Sequence, residues 1–297
     1  MSFWTALSTV LWIAGVAPAD TDVAVVISSH SGAFNSALQA AQAELGPRAE
    51  VFDLSAGDNS ALANRLAMSS AKVMLAIGPQ SADFALADAA KRPIVHCLLP
   101  HAQRRNLDRS TVRGVPLAVD VKQVLAAIAD ALPGARRITV VFDPAESERT
   151  VAQAEAAART GGLTLRRLEV SRGAEVGTAL KAAFRDSDVV WLFPDRAVSS
   201  SEALRYMMLK SFERKIPVVV SFEAHARQGG LLALVPDPVA QGRAAARLAR
   251  LVADGTPITE VPAPEPEALI ILNQRTARRL SINIPDAFAN RAASVIK

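Results

Sequence analysis

The sequence predicts an α/β protein made of two doubly wound parallel-sheet lobes with a cleft between them. The chain has 297 residues, half of them apolar, which is enough to give two domains a core each. Short β-branched runs alternate with longer alanine-rich segments of helical period. This alternation is broken once, by polar and basic residues between 100 and 113, and then restarts. The break divides the pattern into two α/β units of similar size.

The first unit begins with a β-branched run at 23–27, which is followed by a helical pattern at 34–45. The same alternation predicts further strands at 50–54, 72–77 and 93–98, and further helices at 59–70 and 81–90. Successive strand–helix repeats produce a parallel sheet with helices on both faces. Residues 114–119, after the break, are expected to form an extended connector.

The second unit restarts with a helix at 121–131, which Pro133 and Gly134 end. Its predicted strands are 137–142, 164–170, 189–193, 216–221 and 231–235, and its predicted helices are 148–160, 174–184, 199–214 and a short one after Glu223. Residues 237–253 form a strongly helical stretch, and Gly255 is its predicted carboxyl cap. A Pro-rich run then precedes one more strand, 268–272, and two short terminal helices.

The amino terminus has the pattern of a secretory signal peptide. Residues 3–16 are uncharged and apolar or small, and Ala17-Pro18-Ala19 has the small-x-small form of a cleavage site. The first Lys or Arg is Arg48, so only the terminal amine supplies positive charge before the apolar run. A membrane anchor is the alternative, but the run is shorter than the roughly 20 residues of a spanning helix. We therefore expect export to the periplasm and no integral membrane segment after cleavage of residues 1–19.

Composition and motifs exclude several classes of protein. The apolar content and the spread of Gly and Pro exclude a disordered or collagen-like chain. A formal charge of +4, with only 5% aromatic residues, does not indicate nucleic-acid binding. The chain has neither a Gly-x-Gly-x-x-Gly nor a Gly-x-x-x-x-Gly-Lys-Ser/Thr sequence, and it has no Gly-x-Ser-x-Gly elbow. We expect no cofactor, no metal and no enzymatic activity.

Four local clusters of residues are candidates for a catalytic, metal-binding or anion-binding site. Ser29 and His30 are adjacent in sequence, but adjacency does not make a catalytic triad, which is defined by its three-dimensional geometry. A polar strand-to-helix turn is therefore favoured. His96, Cys97 and His101 include zinc-ligand types, yet a core histidine beside a core cysteine is favoured because no four-ligand set is visible. Three arginines share one face of a helix, and a solvated face is favoured there over contact with phosphate or a partner protein: Arg243, Arg247 and Arg250. Either anion binding or ordinary loop composition suits the arginines of the break: Arg104, Arg105, Arg109 and Arg113.

Polar residues follow several predicted strands, where ligands of open α/β sheets bind. In the first unit these residues offer hydroxyls, amides and helix amino termini: Ser29, His30, Gly78, Gln80 and Ser81. In the second unit they are mostly carboxylates: Asp143, Glu146, Glu148, Asp195 and Glu223. Each such residue taken alone is better explained as a helix cap. Their convergence on one cleft suits a ligand that carries an anionic group and an ammonium, such as an amino acid.

A series of motifs runs in order from 114 to 296: Gly114-Val115-Pro116-Leu117, Leu132-Pro133-Gly134-Ala135-Arg136-Arg137-Ile138, Phe142-Asp143-Pro144-Ala145-Glu146, Pro194-Asp195, Lys215-Ile216-Pro217-Val218, Gly229-Gly230-Leu231-Leu232-Ala233-Leu234, 237–242, 272–280 and Ile282-Asn283-Ile284-Pro285. In these motifs the sequence resembles the substrate-binding proteins of ABC transporters, in the group that includes the tryptophan/tyrosine-type binding proteins. The amino-terminal unit matches more loosely.

The resemblance implies a type I periplasmic-binding-protein fold whose two lobes close on a small molecule. It implies three chain crossings, with 20–116 plus 237–256 in the amino-terminal lobe and 117–236 plus 257–297 in the carboxyl-terminal lobe. The cleft positions it implies are 78–81, 143–148, Asp195 and Glu223, with Asp237 near the hinge. The chain departs from the family at Asp143, Glu148 and His101, which favours either a more cationic ligand than an aromatic amino acid or a repurposed pocket.

The sequence therefore predicts a periplasmic solute-binding component of an ABC transporter. It would capture an amino acid or a related small molecule by lobe closure and be recognised by a membrane permease. One alternative is a binding-fold protein that acts as an envelope sensor or docking partner without transport. A second alternative, an α/β hydrolase or transferase, lacks a recognisable catalytic constellation.

Overall fold

The computed structural model of the chain describes residues 21–88, 90–100, 110–171, 173–198 and 200–297. Its strands are β1 Val23–Ile27, β2 Ala49–Asp53, β3 Val73–Ile77, β4 Ile94–Cys97, β5 Val112–Gly114, β6 Arg137–Phe142, β7 Thr164–Glu169, β8 Val189–Trp191, β9 Val218–Val220, β10 Leu232–Pro236, β11 Ala268–Asn273 and β12 Ser294–Ile296. Its α-helices are α1 Gly32–Leu45, α2 Asn59–Met68, α3 Pro79–Leu86, α4 Val121–Ala131, α5 Pro144–Thr160, α6 Gly173–Ala183, α7 Ser201–Arg214, α8 Glu223–Arg227, α9 Pro238–Ala253, α10 Gln274–Leu280 and α11 Asp286–Ala289.

The first sheet has five parallel strands in the order β2-β1-β3-β4-β5. Every residue of its two adjacent strands β1 and β3 is buried, as their unbroken apolar sequences predict for a sheet covered on both faces. Val23, Val25 and Ile27 pack into one apolar cluster with α1 and α9. Ala24 and Val26 pack into a second cluster with α2 and α3. Alternate side chains of β1 point to opposite faces of the sheet, and both faces are covered by helices.

The second sheet has seven strands in the order β12-β11-β10-β9-β8-β6-β7. Its pairs are parallel except for β10 and β11, which are antiparallel, with Leu232 opposite Leu272 and Pro236 opposite Ala268. Strand β12 was not predicted because its three half-buried residues give too short an apolar run for the pattern to reveal. Strand β5 likewise lies partly within the stretch that the sequence marked as a break.

The chain connects the two sheets three times, through 115–120, through Asp237 and through 254–267. The first connection leaves the carboxyl end of β5 and the second leaves the carboxyl end of β10. The third arrives at the start of β11, which pairs with the carboxyl end of β10. The carboxyl edges of the parallel strands therefore adjoin the connections between the two sheets. A hydrogen bond of 2.7 Å from Gln241 Nε2 to the carbonyl oxygen of Pro116 joins the first turn of α9 to the first connection.

Helix α9 follows the second connection and packs against the first sheet, beside α1. The two helices touch through small residues, among them Ala37 and Ala41 of α1 and Gly242 and Ala245 of α9. A Cβ atom at Gly242 would lie 2.7 Å from the Cα atom of Ala37 and closer still to its carbonyl oxygen. Only glycine permits this approach of the two backbones. Within the described ranges, none of the helices is long and apolar enough to cross a membrane.

Candidate functional site

The candidate site in the first lobe is formed by the turns after β1 and β3, which are neighbours in the sheet. The hydroxyl of Ser28 accepts a hydrogen bond of 2.9 Å from the backbone N–H of Ser81 and lies 3.0 Å from the Ser81 hydroxyl. Gly78, between them, has φ +92, and a Cβ atom there would lie 2.9 Å from Ser28 Oγ and from a ring carbon of Phe34. Gly78 and Ser81 are buried parts of the scaffold that fixes the two turns.

The polar groups that this scaffold leaves available are Ser29 and Gln80. Ser29 is half-buried and Gln80 is exposed, and among the described residues neither side chain has a hydrogen-bond partner. Helix α1 begins after Ser31 and receives no side-chain cap. Helix α3 begins at Pro79, which has no N–H, and the N–H of Ser81 in its first turn is already bonded to Ser28. Uncapped amino termini carry partial positive charge and unsatisfied N–H donors. This edge of the sheet is thus suited to an anionic group.

His30 adds a titratable cation to the same edge. Its Nε2 atom lies 2.8 Å from Oδ2 of Asp53, the last residue of β2. The hydrogen bond with Asp53 and the charge of that carboxylate raise the pKa of the exposed His30 above 6.5. Hydrogen bonds from Ser55 and from His30 hold the pKa of Asp53 below its ordinary range. The sequence singled out His30 but not Asp53, whose position at the carboxyl end of β2 is the signal that would have found it.

We expect NMR titration to place the pKa of His30 above 6.5 and to return it toward 6.5 in an Asp53→Asn variant. Since the folded-state pKa is the higher one, the pair stabilises the fold at acidic pH, and this contribution is lost as pH rises through that pKa. His96 is an internal reference, because burial lowers its pKa to about 4. An unchanged His30 pKa in the variant would contradict the pairing.

In the second lobe, Asp195 is fully buried rather than open to a ligand. Its Oδ2 atom accepts hydrogen bonds of 3.0 Å from the backbone N–H of Asp143 and 2.5 Å from the hydroxyl of Ser147. It therefore fastens the turn after β8 to the first turn of α5. The predicted contact of Asp195 with a ligand ammonium stays a prediction, and the structure gives this carboxylate a positioning role in the turn.

Three other predicted carboxylates of the second lobe each have an arginine partner. Glu146 pairs with Arg196 at 3.1 Å, and Glu223 pairs with Arg227, four residues later in α8, at 2.5 Å. Glu148 pairs at 2.7 Å with Arg167, which also contacts Glu155 and Glu169. These arginines are not predictable from local sequence, because two of the three pairs join residues that are far apart in the chain. A cationic ligand group would have to compete with them.

The two remaining predicted carboxylates are helix caps, the role that the sequence favoured for any single residue. Oδ1 of Asp143 accepts a hydrogen bond of 2.9 Å from the N–H of Ala145 at the start of α5. Oδ1 of Asp237 accepts a hydrogen bond of 2.8 Å from the N–H of Val239 at the start of α9. Both aspartates are half-buried, and Asp237 lies in the second connection between the sheets.

An apolar group at the carboxyl edge of the second sheet is Phe222, which follows β9 and is 51% exposed. Its ring makes an edge-to-face contact with His225, with the centroids 5.2 Å apart. Its exposed ring is available to pack against an apolar group of a ligand. The sequence pattern singles out Glu223 in this segment and assigns no role to Phe222.

The histidine and cysteine cluster weighed for metal binding is part of the core where it is described. His96 and Cys97 are both buried in β4, and burial raises the pKa of the Cys97 thiol to about 12. His101 lies outside the described residues. Among the residues that are described, no group of three His, Cys, Asp or Glu side chains is placed to hold a metal ion. For the Ser29 and His30 pair, the His30 side chain hydrogen-bonds to Asp53, and it has no serine partner among the described residues.

The arginines weighed as anion sites divide between two situations. Arg247 and Arg250 of α9 lie 3.3 and 3.1 Å from Glu44 of α1, so they form part of the α1–α9 contact. Of the arginines in the break, only Arg113 belongs to the described ranges, where it is half-buried in β5. Residues 1–19, with the predicted signal peptide, and three arginines fall outside those ranges: Arg104, Arg105 and Arg109.

Comparison with known proteins gives one family and several similar structures. The sequence model of a family described as "ABC transporter substrate binding protein" matches residues 23–296. A structure titled as the ABC domain in complex with L-Trp, from Streptococcus pneumonia, is 19% identical and has a TM-score of 0.55, covering 94% of this chain and 100% of its own. The ligand-free, open structure of CD0873 from Clostridium difficile, titled a substrate binding protein with adhesive properties, is 18% identical and has a TM-score of 0.69, covering 93% and 99%. No curated protein matches the chain.

Proposed function

The chain belongs to the family of ABC transporter substrate-binding proteins, and from this premise we propose that it captures an amino acid or related carboxylate-bearing molecule. The predicted family and the two-lobed fold of type I periplasmic binding proteins are both confirmed. The family is one of binding proteins and implies a small-molecule ligand and a permease partner. The class of ligand, the periplasmic location and the delivery of the ligand to that permease are our proposal.

The observation that carries the proposal is the set of unpaired donors at the carboxyl edge of the first sheet. The Ser29 hydroxyl lies in the turn before α1, which has no side-chain cap, and the Gln80 amide lies in the first turn of α3. Hydroxyl, amide and backbone N–H groups all donate hydrogen bonds to a carboxylate, and helix amino termini attract its charge. Protonated His30 lies beside them, with its charge balanced by the Asp53 carboxylate 2.8 Å away. The first lobe therefore has the chemistry for the anionic end of the ligand.

The second lobe differs, since its helix α5 is capped by the chain's own Asp143 and most of its carboxylates are paired with arginines. Phe222 is its large exposed apolar surface at the carboxyl edge. We propose that Phe222 contacts the apolar part of the ligand, and that a ligand ammonium binds near Asp143 and Glu223. Closure of the lobes would bury these groups from water, which strengthens each polar contact.

Replacement of Gln80 or of Ser29 by alanine is expected to weaken ligand binding about tenfold, or about 1.4 kcal/mol, the range of one hydrogen bond to a charged group. The ligand is first found by thermal shift against amino acids, polyamines, nucleosides and organic anions. A ligand at 100 times its Kd adds about 2.7 kcal/mol of stability. Calorimetry on each variant then measures the change in affinity.

The matched control is Gln153→Ala, which removes an exposed glutamine from the middle of α5. Its affinity should equal that of the unaltered protein. Full affinity in both Ser29→Ala and Gln80→Ala would exclude these turns as the carboxylate site. A ligand with no anionic group would contradict the proposed ligand class.

A further inference from the structure

A second concave surface of the carboxyl-terminal lobe is lined by arginines and is separate from the carboxyl edge of its sheet. The pocket has a volume of about 280 Å³ and lies between the end of α7, the end of α8 and α10. Its lining includes Phe212, Arg227, Arg275, Thr276 and Arg279. Helix α10 follows Asn273, whose N–H bonds to the carbonyl oxygen of Leu231, so the pocket lies toward the amino-terminal end of β10.

The pocket has an excess of positive charge. Among its three arginines, Arg227 has a carboxylate partner, Glu223, at 2.5 Å. In the described part of the chain no carboxylate lies within 4.0 Å of the guanidinium nitrogens of Arg275 or Arg279, so two positive charges are left uncompensated. Like charges that converge on one concave surface repel one another, and a bound anion would relieve that repulsion.

Neighbouring side chains hold the pocket in shape. The guanidinium carbon of Arg279 lies 4.0 Å above the centre of the Phe212 ring. The buried hydroxyl of Thr276 donates a hydrogen bond of 3.2 Å to the carbonyl oxygen of Gly229 and so joins α10 to the turn after α8. The backbone carbonyl of Arg279 accepts a hydrogen bond of 2.5 Å from Lys215 Nζ. A guanidinium that is already held in place loses less entropy when it binds an oxyanion.

We infer that this arginine pocket binds a phosphate-class dianion, either free phosphate or the phosphate headgroup of a lipid. Two uncompensated guanidinium groups match the charge of a phosphate monoester near neutral pH. Their planar forks donate pairs of parallel hydrogen bonds to the oxygens of such an anion. This site is independent of the ligand proposed for the cleft.

The test uses two probes on the purified protein. Inorganic phosphate is titrated by calorimetry, and vesicles of phosphatidylcholine with and without phosphatidic acid are tested by co-sedimentation. The double variant Arg275→Gln/Arg279→Gln is expected to raise the Kd of the bound probe at least tenfold. Because Arg279 also stacks on Phe212, the single variant Arg275→Gln is measured as well, with a loss of at least threefold expected.

The matched control is Arg159→Gln/Arg185→Gln, which removes two exposed arginines of the same lobe that have no ion pair among the described residues. Its Kd should stay within twofold of the unaltered protein. Loss confined to the pocket variants supports the site, with phosphate binding identifying the free anion and binding to phosphatidic acid alone identifying the headgroup. Equal loss in both double variants, or binding of neither probe, overturns it.

Discussion

Replacement of Gly242 by alanine is expected to lower the free energy of unfolding by about 3 kcal/mol or more. The added methyl group would occupy space already taken by the backbone of Ala37, at 2.7 Å from its Cα atom. A backbone clash is not relieved by a change of rotamer, so α1 and α9 must move apart. That movement would open the apolar cluster that both helices share with β1, β3 and β4. Urea unfolding followed by circular dichroism measures the change.

The matched control for Gly242 is Gly177→Ala, the same substitution in α6. Gly177 is exposed, and a Cβ atom there would meet no other atom within 4 Å. Alanine is the better helix former, so this variant should gain about 0.5 to 1 kcal/mol. Opposite signs at the two glycines would show that the close approach of α1 and α9, and not helix propensity, sets the cost. Similar small effects at both would contradict the packing argument.

The architecture was predictable because strands that are buried on both faces of a sheet have nearly continuous apolar sequences. The five apolar residues of β1 and of β3 predict buried parallel strands, and the helical pattern before Gly255 predicts α9 to within one residue. Strand direction leaves no such trace, and β11 looks the same to a pattern whether it runs parallel or antiparallel. The division of residues between the lobes, at 116, 237 and 257, stays a prediction.

The candidate site was predictable only in its location. Strand ends reveal which turns meet at one edge, and this gave Ser29, His30 and Gln80. Whether a carboxylate is free to bind a ligand depends on partners that are often distant in sequence, as Arg196 is from Glu146. Asp195 illustrates the same limit, because its partners Asp143 and Ser147 lie about 50 residues earlier in the chain. The ion pairs and the burial of the predicted carboxylates therefore become visible only in the three-dimensional structure.

Replacement of Asp195 by alanine is expected to cost about 3 kcal/mol of unfolding free energy. The buried carboxylate accepts from the N–H of Asp143 and the hydroxyl of Ser147, and its removal leaves both donors without an acceptor in a site closed to water. Asp195→Asn retains one oxygen as an acceptor and should cost less. Asp186→Ala, at an exposed carboxylate of the same lobe, should change stability by less than about 0.5 kcal/mol.

A double-mutant cycle separates the positioning role of Asp195 from direct contact with a ligand. If Asp195 acts through Ser147, the costs of Asp195→Ala and Ser147→Ala on unfolding should not add, with a coupling of about 1 kcal/mol or more. Ligand affinity of the folded Asp195→Asn protein should then change by less than about threefold, because the amide still holds the turn. Additive costs in unfolding, together with loss of affinity in a stable Asp195→Asn protein, would instead assign Asp195 to the ligand. Coupled unfolding costs with little change in affinity would mean that the buried Asp195 carboxylate builds the edge of the cleft. The charges that bind the ligand would then belong to neighbouring groups.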